Sequence, residues 1–327
     1  MPTCLLTGAT GFLGSHVARS LVARGWSVRA LTRGGGERLG ALVAAGVDAV
    51  PGDLSAGTDL SAAAAGADAV VHVAGITKAR TREEYREVNA RGTARLVEAA
   101  RRSAPGALFL LVSSQAAAGP ARSGRPVTED DPPRPISWYG ASKREGEEAV
   151  EAGWRGPWII VRPSVVFGPG DRGLLVLFRA AAKGWLPVPA GDSRVQLIRA
   201  ERAADAIAAA AARPDLSGRA GFLADPAPIA ISELAALIAS LPRERPRLVP
   251  VPRALVRIAG AAETVLETLT GRSRPFNADK AREILAGDWI CAGKPFSRDL
   301  RLAEPPPLFE DLSQTWDWYV REGWLAL

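Results

Sequence analysis

The sequence predicts an α/β protein built on a doubly wound parallel sheet. Three observations predict it. Short Val/Leu/Ile runs alternate with alanine-rich helical stretches, a glycine turn follows the first run, and prolines multiply beyond Gly168. With 327 residues, 47% of them hydrophobic, the chain can fill a sizeable core.

Residues 3–7 (TCLLT) form an apolar run ending at Gly8, and apolar residues return at helical spacing from Ser15 to Ala23. That is strand, turn, helix. Trp26 to Leu31, Asp48 to Val50 and Ala69 to Val73 read as further strands. Tyr85 to Arg102 reads as one long helix, Ala107 to Ser113 as a strand, Tyr139 to Ala152 as a helix and Trp158 to Arg162 as a strand. This alternation predicts a ligand at the carboxyl ends of the strands. Past Gly168, Val195 to Ile198, the Ala203 to Ala212 helix and Gly221 to Ala224 read as a helix-linked strand pair able to return to the sheet. The expected architecture is therefore a Rossmann-type doubly wound parallel sheet with a smaller, interleaved C-terminal substrate lobe. Residues 1–168, with 195–224 returning, form the dinucleotide-binding domain; 169–194 and 225–327 form the lobe. The proline-bearing stretches 242–252 and 305–307 read as extended connectors. Leu255 to Leu269 carries apolar residues at helical spacing, either a core-facing helix or a monotopic membrane contact.

The net charge of +6 is carried by arginines scattered from Arg19 to Arg321, without the basic, aromatic-interleaved stripe of a nucleic-acid surface. A small phosphate-bearing partner is expected instead. Cys4 and Cys291 form no CxxC pair, so neither a disulfide framework nor a metal site is expected, and a reducing cytoplasm fits. MPTCLLTGAT lacks a basic region followed by a long apolar stretch and reads as a first strand. Arg, Glu or Pro breaks every apolar run before the roughly 20 residues of a membrane span.

Gly8, Gly11 and Gly14 stand directly after the first strand and at the mouth of a helix. Bare glycine lets the backbone approach a pyrophosphate that the helix N-terminal amides then face. Thr10, Phe12 and Leu13 complete this cofactor turn. At the end of the second strand, where an NAD site places a carboxylate on the ribose, the chain has Thr32 and Arg33. Arg33 can pair with a 2′-phosphate, which favours NADP over NAD, or stand as a solvated surface cation.

Tyr139 and Lys143, in WYGASK, lie four residues apart and share one face of a helix. A tyrosine holds its proton to about pH 10, and a neighbouring ammonium lowers that value. His72 lies inside a strand and reads as packed; His16 has no matching partner. Two histidines build neither a hydrolase triad nor a metal cluster.

TGATGFLG at 7–14, GDL at 52–54, HVAG at 72–75, VNARGT at 88–93, VSS at 112–114, YGASK at 139–143 and RPSVVFGPGD at 162–171 follow one another along the chain. In this order they resemble the extended short-chain dehydrogenases/reductases, the NAD-dependent epimerase/dehydratase-like enzymes. RDL at 298–300, with Leu308, Thr315, Trp318 and Tyr319, is similar to that family's closing segment. The resemblance implies Tyr139 as catalytic acid/base, Lys143 tuning it and holding the nicotinamide ribose, and Ser114 bonding the substrate oxygen, with Ser113 as fallback. Gly119, five residues on, suits Ser114 better. It further implies Asp53 at the adenine with Leu54 packed on it, Ala74 and Gly75 along the cofactor, Asn89 supporting the proton network, and Pro163 to Val166 near the nicotinamide. Asn89 alternatively bridges buried backbone groups.

The implied function is reduction of a carbonyl, or oxidation of the alcohol, on a small apolar molecule. Nucleotide-sugar epimerases and dehydratases of the family keep NAD bound and often carry a diphosphate-binding arginine where Val195 stands here, with Arg194 one residue off; Arg202 replaces a usual aspartate. The C-terminal lobe looks more like the dihydroflavonol-reductase and hydroxysteroid-dehydrogenase branch. Trp185, Trp289, Trp316, Trp318 and Trp324 would line an apolar pocket or pack the core. A non-catalytic dinucleotide sensor is the third reading, and a homodimer through the Tyr139 helix is a further implication.

Overall fold

A computed structural model describes residues 1–274 and 276–325. The first half alternates strand and helix: β1 (Thr3–Thr7), α1 (Phe12–Ala23), β2 (Ser27–Thr32), α2 (Glu37–Ala44), β3 (Val47–Pro51), α3 (Ser61–Ala64), β4 (Ala69–His72) and α4 (Arg82–Tyr85). A π-helical turn (Arg86–Arg91) leads into α5 (Gly92–Ser103), followed by β5 (Leu108–Val112), α6 (Gln115–Ala118), α7 (Trp138–Gly153) and β6 (Trp158–Pro163). The second half holds β7 (Val165–Phe167), α8 (Leu175–Ala182), β8 (Trp185–Pro189), β9 (Arg194–Val195), β10 (Leu197–Arg199), α9 (Ala200–Ala210) and β11 (Arg219–Leu223). It closes with β12 (Ile229–Ala230), α10 (Ile231–Ala239), β13 (Arg247–Val251), α11 (Arg253–Thr270), α12 (Ala278–Ile284), α13 (Lys294–Asp299) and α14 (Leu308–Arg321).

Seven strands make one parallel sheet in the order β11-β6-β5-β4-β1-β2-β3. Successive residues alternate between its faces, because side chains of a strand have period two. Cys4 and Leu6 enter a core with Val17, Leu21 and Ile207 of α1 and α9. Leu5 enters the opposite core with Leu96, Val150 and Trp154 on the α5 and α7 side. Coverage of both faces is what makes these strands read as continuous apolar runs. The strand order reverses between β1 and β4, and the crevice at such a switch point is where ligands bind.

A third core gathers Phe167, Phe178, Leu312, Trp316 and Tyr319, from β7, α8 and α14. Trp318 and Trp324 pack against it, with Trp324 stacked on Tyr319, so three of the five tryptophans pack a core.

Three elements differ from the expectation. The single helix from Tyr85 is a helical run interrupted by the π turn around Asn89. Val195 to Ile198 is two short strands: β9 pairs with β12, and β10 pairs with β7 away from the main sheet, so only β11 returns to it. The 242–252 connector contains β13, laddered in parallel on β8. Prolines are tolerated in this two-stranded ribbon because each strand has a free edge.

Candidate active site

The glycine turn is built by contact. Gly8 has φ +76°, and a Cβ there would lie 2.6 Å from the Ala74 nitrogen; one on Gly14 would lie 2.0 Å from the Gly8 carbonyl. No other residue fits either place. α1 begins at Phe12 with no side chain capping it, which leaves its first amides free to face the turn. Thr10 and Gly11 are exposed at the tip; Phe12 and Leu13 are half-buried. Bare backbone plus unclaimed helix amides fit a pyrophosphate. Arg38, which sequence reasoning missed, donates to the Thr10 carbonyl at 3.0 Å, and Arg172 and Arg19 act on its charge. Cations thus gather around the turn.

Arg33 is exposed just beyond β2. Asp53 is held down at about 2 by the Ser55 hydroxyl and amide and by Thr58, with Arg33 adding a smaller charge effect. Those bonds all fall on its Oδ1, at 2.5, 2.9 and 2.8 Å. Leu54 packs over Gly92.

Beyond β4, Ala74 donates to Thr7 Oγ1 at 3.2 Å, and Gly75 faces Asn89 and Lys143, whose polar atoms a Cβ there would approach to 3.0 and 3.6 Å. Asn89 lies in the π turn and is buried. Its Oδ1 accepts from Ile76 N at 2.8 Å, and its Nδ2 donates to Ile76 O and Ser142 Oγ, both at 3.0 Å. The amide therefore bridges buried backbone, tying the β4 loop to α7. Gly146 permits the approach, since a Cβ there would sit 2.7 Å from Asn89 O. His72 lies between Thr7 and Thr93, at 2.6 and 2.9 Å, and burial lowers it to about 3. It is a neutral bracket between β1 and α5.

Ser137 caps α7, accepting from Gly140 N at 2.9 Å. Tyr139 stands in the first turn, half-buried, with its ring tilted 6.1 Å from that of Tyr85. Lys143, one turn on, is buried and donates to the Val112 carbonyl at 2.7 Å. Burial lowers Lys143 to about 8, against the pull of Glu147. Burial raises the Tyr139 phenol to about 12; the Ser114 hydroxyl lowers it and Glu283 raises it. The expected activation of Tyr139 by Lys143 does not dominate here, because the ammonium is turned to the end of β5.

Ser114, at the N-cap of α6, accepts from Ala116 N at 3.1 Å and sits beside Tyr139. Ser113 is buried on the Glu147 side. Pro163 is buried at the end of β6, Val166 half-buried, and between them the buried Ser164 hydroxyl has no partner among the described residues. The structure thus brings together Ser114, Tyr139, Lys143, Gly75 and Asn89; Arg33 and Asp53 lie apart at the β2 and β3 ends.

Asp279 and Glu283 of α12 also reach this site unforeseen. Asp279 accepts from Trp138 N at 2.9 Å, and Glu283 accepts from Ser137 Oγ at 2.6 Å. Nothing in the sequence joins positions so far apart.

The model of the NAD dependent epimerase/dehydratase family matches residues 4–221. The chain belongs to the NAD-dependent epimerase/dehydratase family. The matched span runs from β1 into β11 and so reaches all seven strands of the sheet. Among relatives of this family, a ceramide reductase of Caulobacter vibrioides is 37% identical over 98% of this chain and 95% of its own length. A 4-hydroxy-2-methyl-3-oxo-4-farnesyl-3,4-dihydroquinoline-1-oxide ketoreductase of Stigmatella aurantiaca is 30% identical over 86% of this chain and 90% of its own. A UDP-glucuronic acid 4-epimerase from Bacillus cereus, solved with UDP-glucuronic acid and NAD, shares the fold with TM-score 0.77 at 19% identity, covering 98% of this chain and 99% of its own. Like other epimerase/dehydratase-family members, this chain is an NAD-dependent oxidoreductase or epimerase by family. Among the described residues, no His/Cys/Asp/Glu cluster is disposed to hold a metal, and no helix is long and apolar enough to cross a membrane.

Proposed function

We propose that this chain is a nicotinamide-dependent reductase of an apolar, chain-bearing carbonyl compound, working through Ser114, Tyr139 and Lys143. The observation that carries the reading is the close packing of α6 on α7, where a Cβ on Gly140 would lie 2.3 Å from the Ala116 carbonyl, which sets Ser114 at the end of α6 next to the Tyr139 turn, with Lys143 facing Gly75. Ser114 accepts the Ala116 amide, so its own proton is free to be donated to a carbonyl oxygen. Tyr139, raised to about 12, keeps its proton through neutral pH and can deliver it to that oxygen. The bound dinucleotide supplies the hydride. Gly8, Gly11 and Gly14 would take its pyrophosphate, Asp53 and Leu54 its adenine end, and Ala74, Gly75, Asn89, Lys143, Pro163 and Val166 its nicotinamide end.

Relatives named for reduction of ceramide, a farnesylated quinoline oxide and a 2-alkyl-3-oxoalkanoate support an apolar substrate. The nucleotide-sugar reading needs an arginine free to meet a diphosphate. Here Arg194 is paired with Asp288 at 2.6 Å, Arg202 with Asp225 at 2.7 Å, and Val195 packs against the third core. Purified protein supplied with NADPH or NADH and a long-chain ketone is expected to consume reduced cofactor. A co-purifying, non-exchanging NAD with UDP-sugar interconversion, and no ketone turnover, would instead establish the epimerase.

NADP is the preferred cofactor on the strength of Arg33. Arg33→Gln is expected to lower kcat/KM for NADPH by about tenfold, the scale of one charge-assisted contact, while leaving NADH nearly unchanged. Equal losses with both cofactors would show that Arg33 does not read a 2′-phosphate.

A further inference from the structure

Helix α11 is turned inside out. Leu255, Ile258, Val265, Leu266 and Leu269 are 53%, 62%, 58%, 40% and 77% exposed, and with the exposed Ala259 and Ala262 they recur at the spacing of one helix face. The opposite side meets α12 through Val256, packed with Ala281 and Leu285, and through small and polar groups. A Cβ on Gly260 would lie 2.6 Å from the Ala281 methyl; Thr264 accepts from Ala278 N at 2.9 Å; buried Glu267 accepts from Arg274 N at 2.6 Å and from Asn277 at 3.2 Å. These contacts fix the rotation of the helix, so the leucines cannot roll inward. On the strand leading into it Val249 is 36% exposed, and Trp185, which pairs with Arg247 from strand β8, is 50% exposed. An exposed apolar helix face of this kind marks an interaction site.

Charge says what covers it. Arg243, Arg245, Arg247, Arg257 and Arg272 are exposed in and beside the same segment and form no ion pair among the described residues, while Arg253 donates to the Leu285 carbonyl on the α12 side. Glu244 is the one exposed carboxylate from 243 to 272. A second copy docked face to face would set these arginines against their own counterparts, since a two-fold interface opposes a patch to itself. An anionic bilayer instead takes the leucines among its acyl chains and neutralises the arginines with lipid phosphates.

We propose that α11 and the end of β13 form a monotopic docking surface for an anionic phospholipid bilayer. The surface lies one helix from the site: α11 packs on α12, whose Asp279 and Glu283 hold the start of the Tyr139 helix. This inference goes beyond the reductase reading and does not depend on it, because its readout needs no turnover.

The test is co-sedimentation of the full chain with vesicles of phosphatidylglycerol and phosphatidylethanolamine, against phosphatidylcholine alone. The wild type is expected to partition at least tenfold better onto the anionic vesicles, with binding weakened by salt. The triple variant I258N/L266N/L269N and the quadruple variant R243Q/R245Q/R257Q/R272Q should each lose at least tenfold. Both should keep the wild-type circular dichroism and the wild-type rate on a water-soluble ketone. No anionic preference, undiminished binding by the folded triple variant, or a wild-type dimer that the triple variant dissolves would overturn the proposal. Absence of ketone turnover in all forms would count against the reductase reading alone.

Discussion

Tyr139→Phe is expected to lower carbonyl-reduction turnover by about 10²- to 10⁴-fold, the usual contribution of a positioned general acid. The ring stays, so its packing beside Tyr85 and the start of α7 stays with it. Dinucleotide affinity, set by the glycine cradle, should move by less than about threefold. Steady-state kinetics on a reducible ketone and a fluorescence titration with NADPH separate the two effects. Turnover at the wild-type level would remove the phenol from the chemistry. Equal losses in turnover and cofactor affinity would make Tyr139 a structural residue.

Arg162→Leu is expected to destabilise the fold by about 3 kcal/mol at neutral pH, because it strands a buried carboxylate. Glu147 and Arg162 are 0% and 3% exposed in their side chains and form a two-pronged pair, both bonds 2.8 Å, that clamps α7 onto β6. Arg144 stays at 3.0 Å from Glu147, which keeps the cost from being larger. Burial, the largest influence, raises Glu147, but Arg162 together with Ser113 and Arg144 outweighs it and the group lies below the ordinary carboxylate value. A depressed carboxylate contributes stability that is present above its unfolded value and is lost as pH falls through the folded one. Without Arg162, burial raises Glu147, so the deficit of the variant should narrow on acidification as Glu147 takes up a proton. Urea denaturation at several pH values checks magnitude and trend. A loss under about 1 kcal/mol at neutral pH would mean that Arg144 alone satisfies the carboxylate.

Much of the frame was legible because local chemistry announces it. TCLLT, AVVH and LFLLV are mostly apolar without alternation, as strands covered on both faces are, and each lies in the parallel sheet. The glycines at 8 and 14 announce a turn with no space for side chains, and the contacts there confirm the need. Helix ends were less legible. Ser137, the cap of α7, lies two residues before Tyr139, where the sequence predicts the helix to begin. The π turn had no signal, since one residue too many in a helix changes no local preference.

The sequence by itself determined the family, the parallel sheet, the glycine turn and the one-turn spacing of Tyr139 and Lys143, because each depends on residues near one another in the chain or on motifs in fixed order. Tertiary structure alone decided that Lys143 turns to the Val112 carbonyl, that Asp279 and Glu283 reach the start of α7, that β10 leaves the main sheet, and which side of α11 faces out. Those are contests between distant groups for the same buried space and the same polar partners. Periodicity shows that a helix has an apolar side; what packs against the other side decides whether that apolar side is buried.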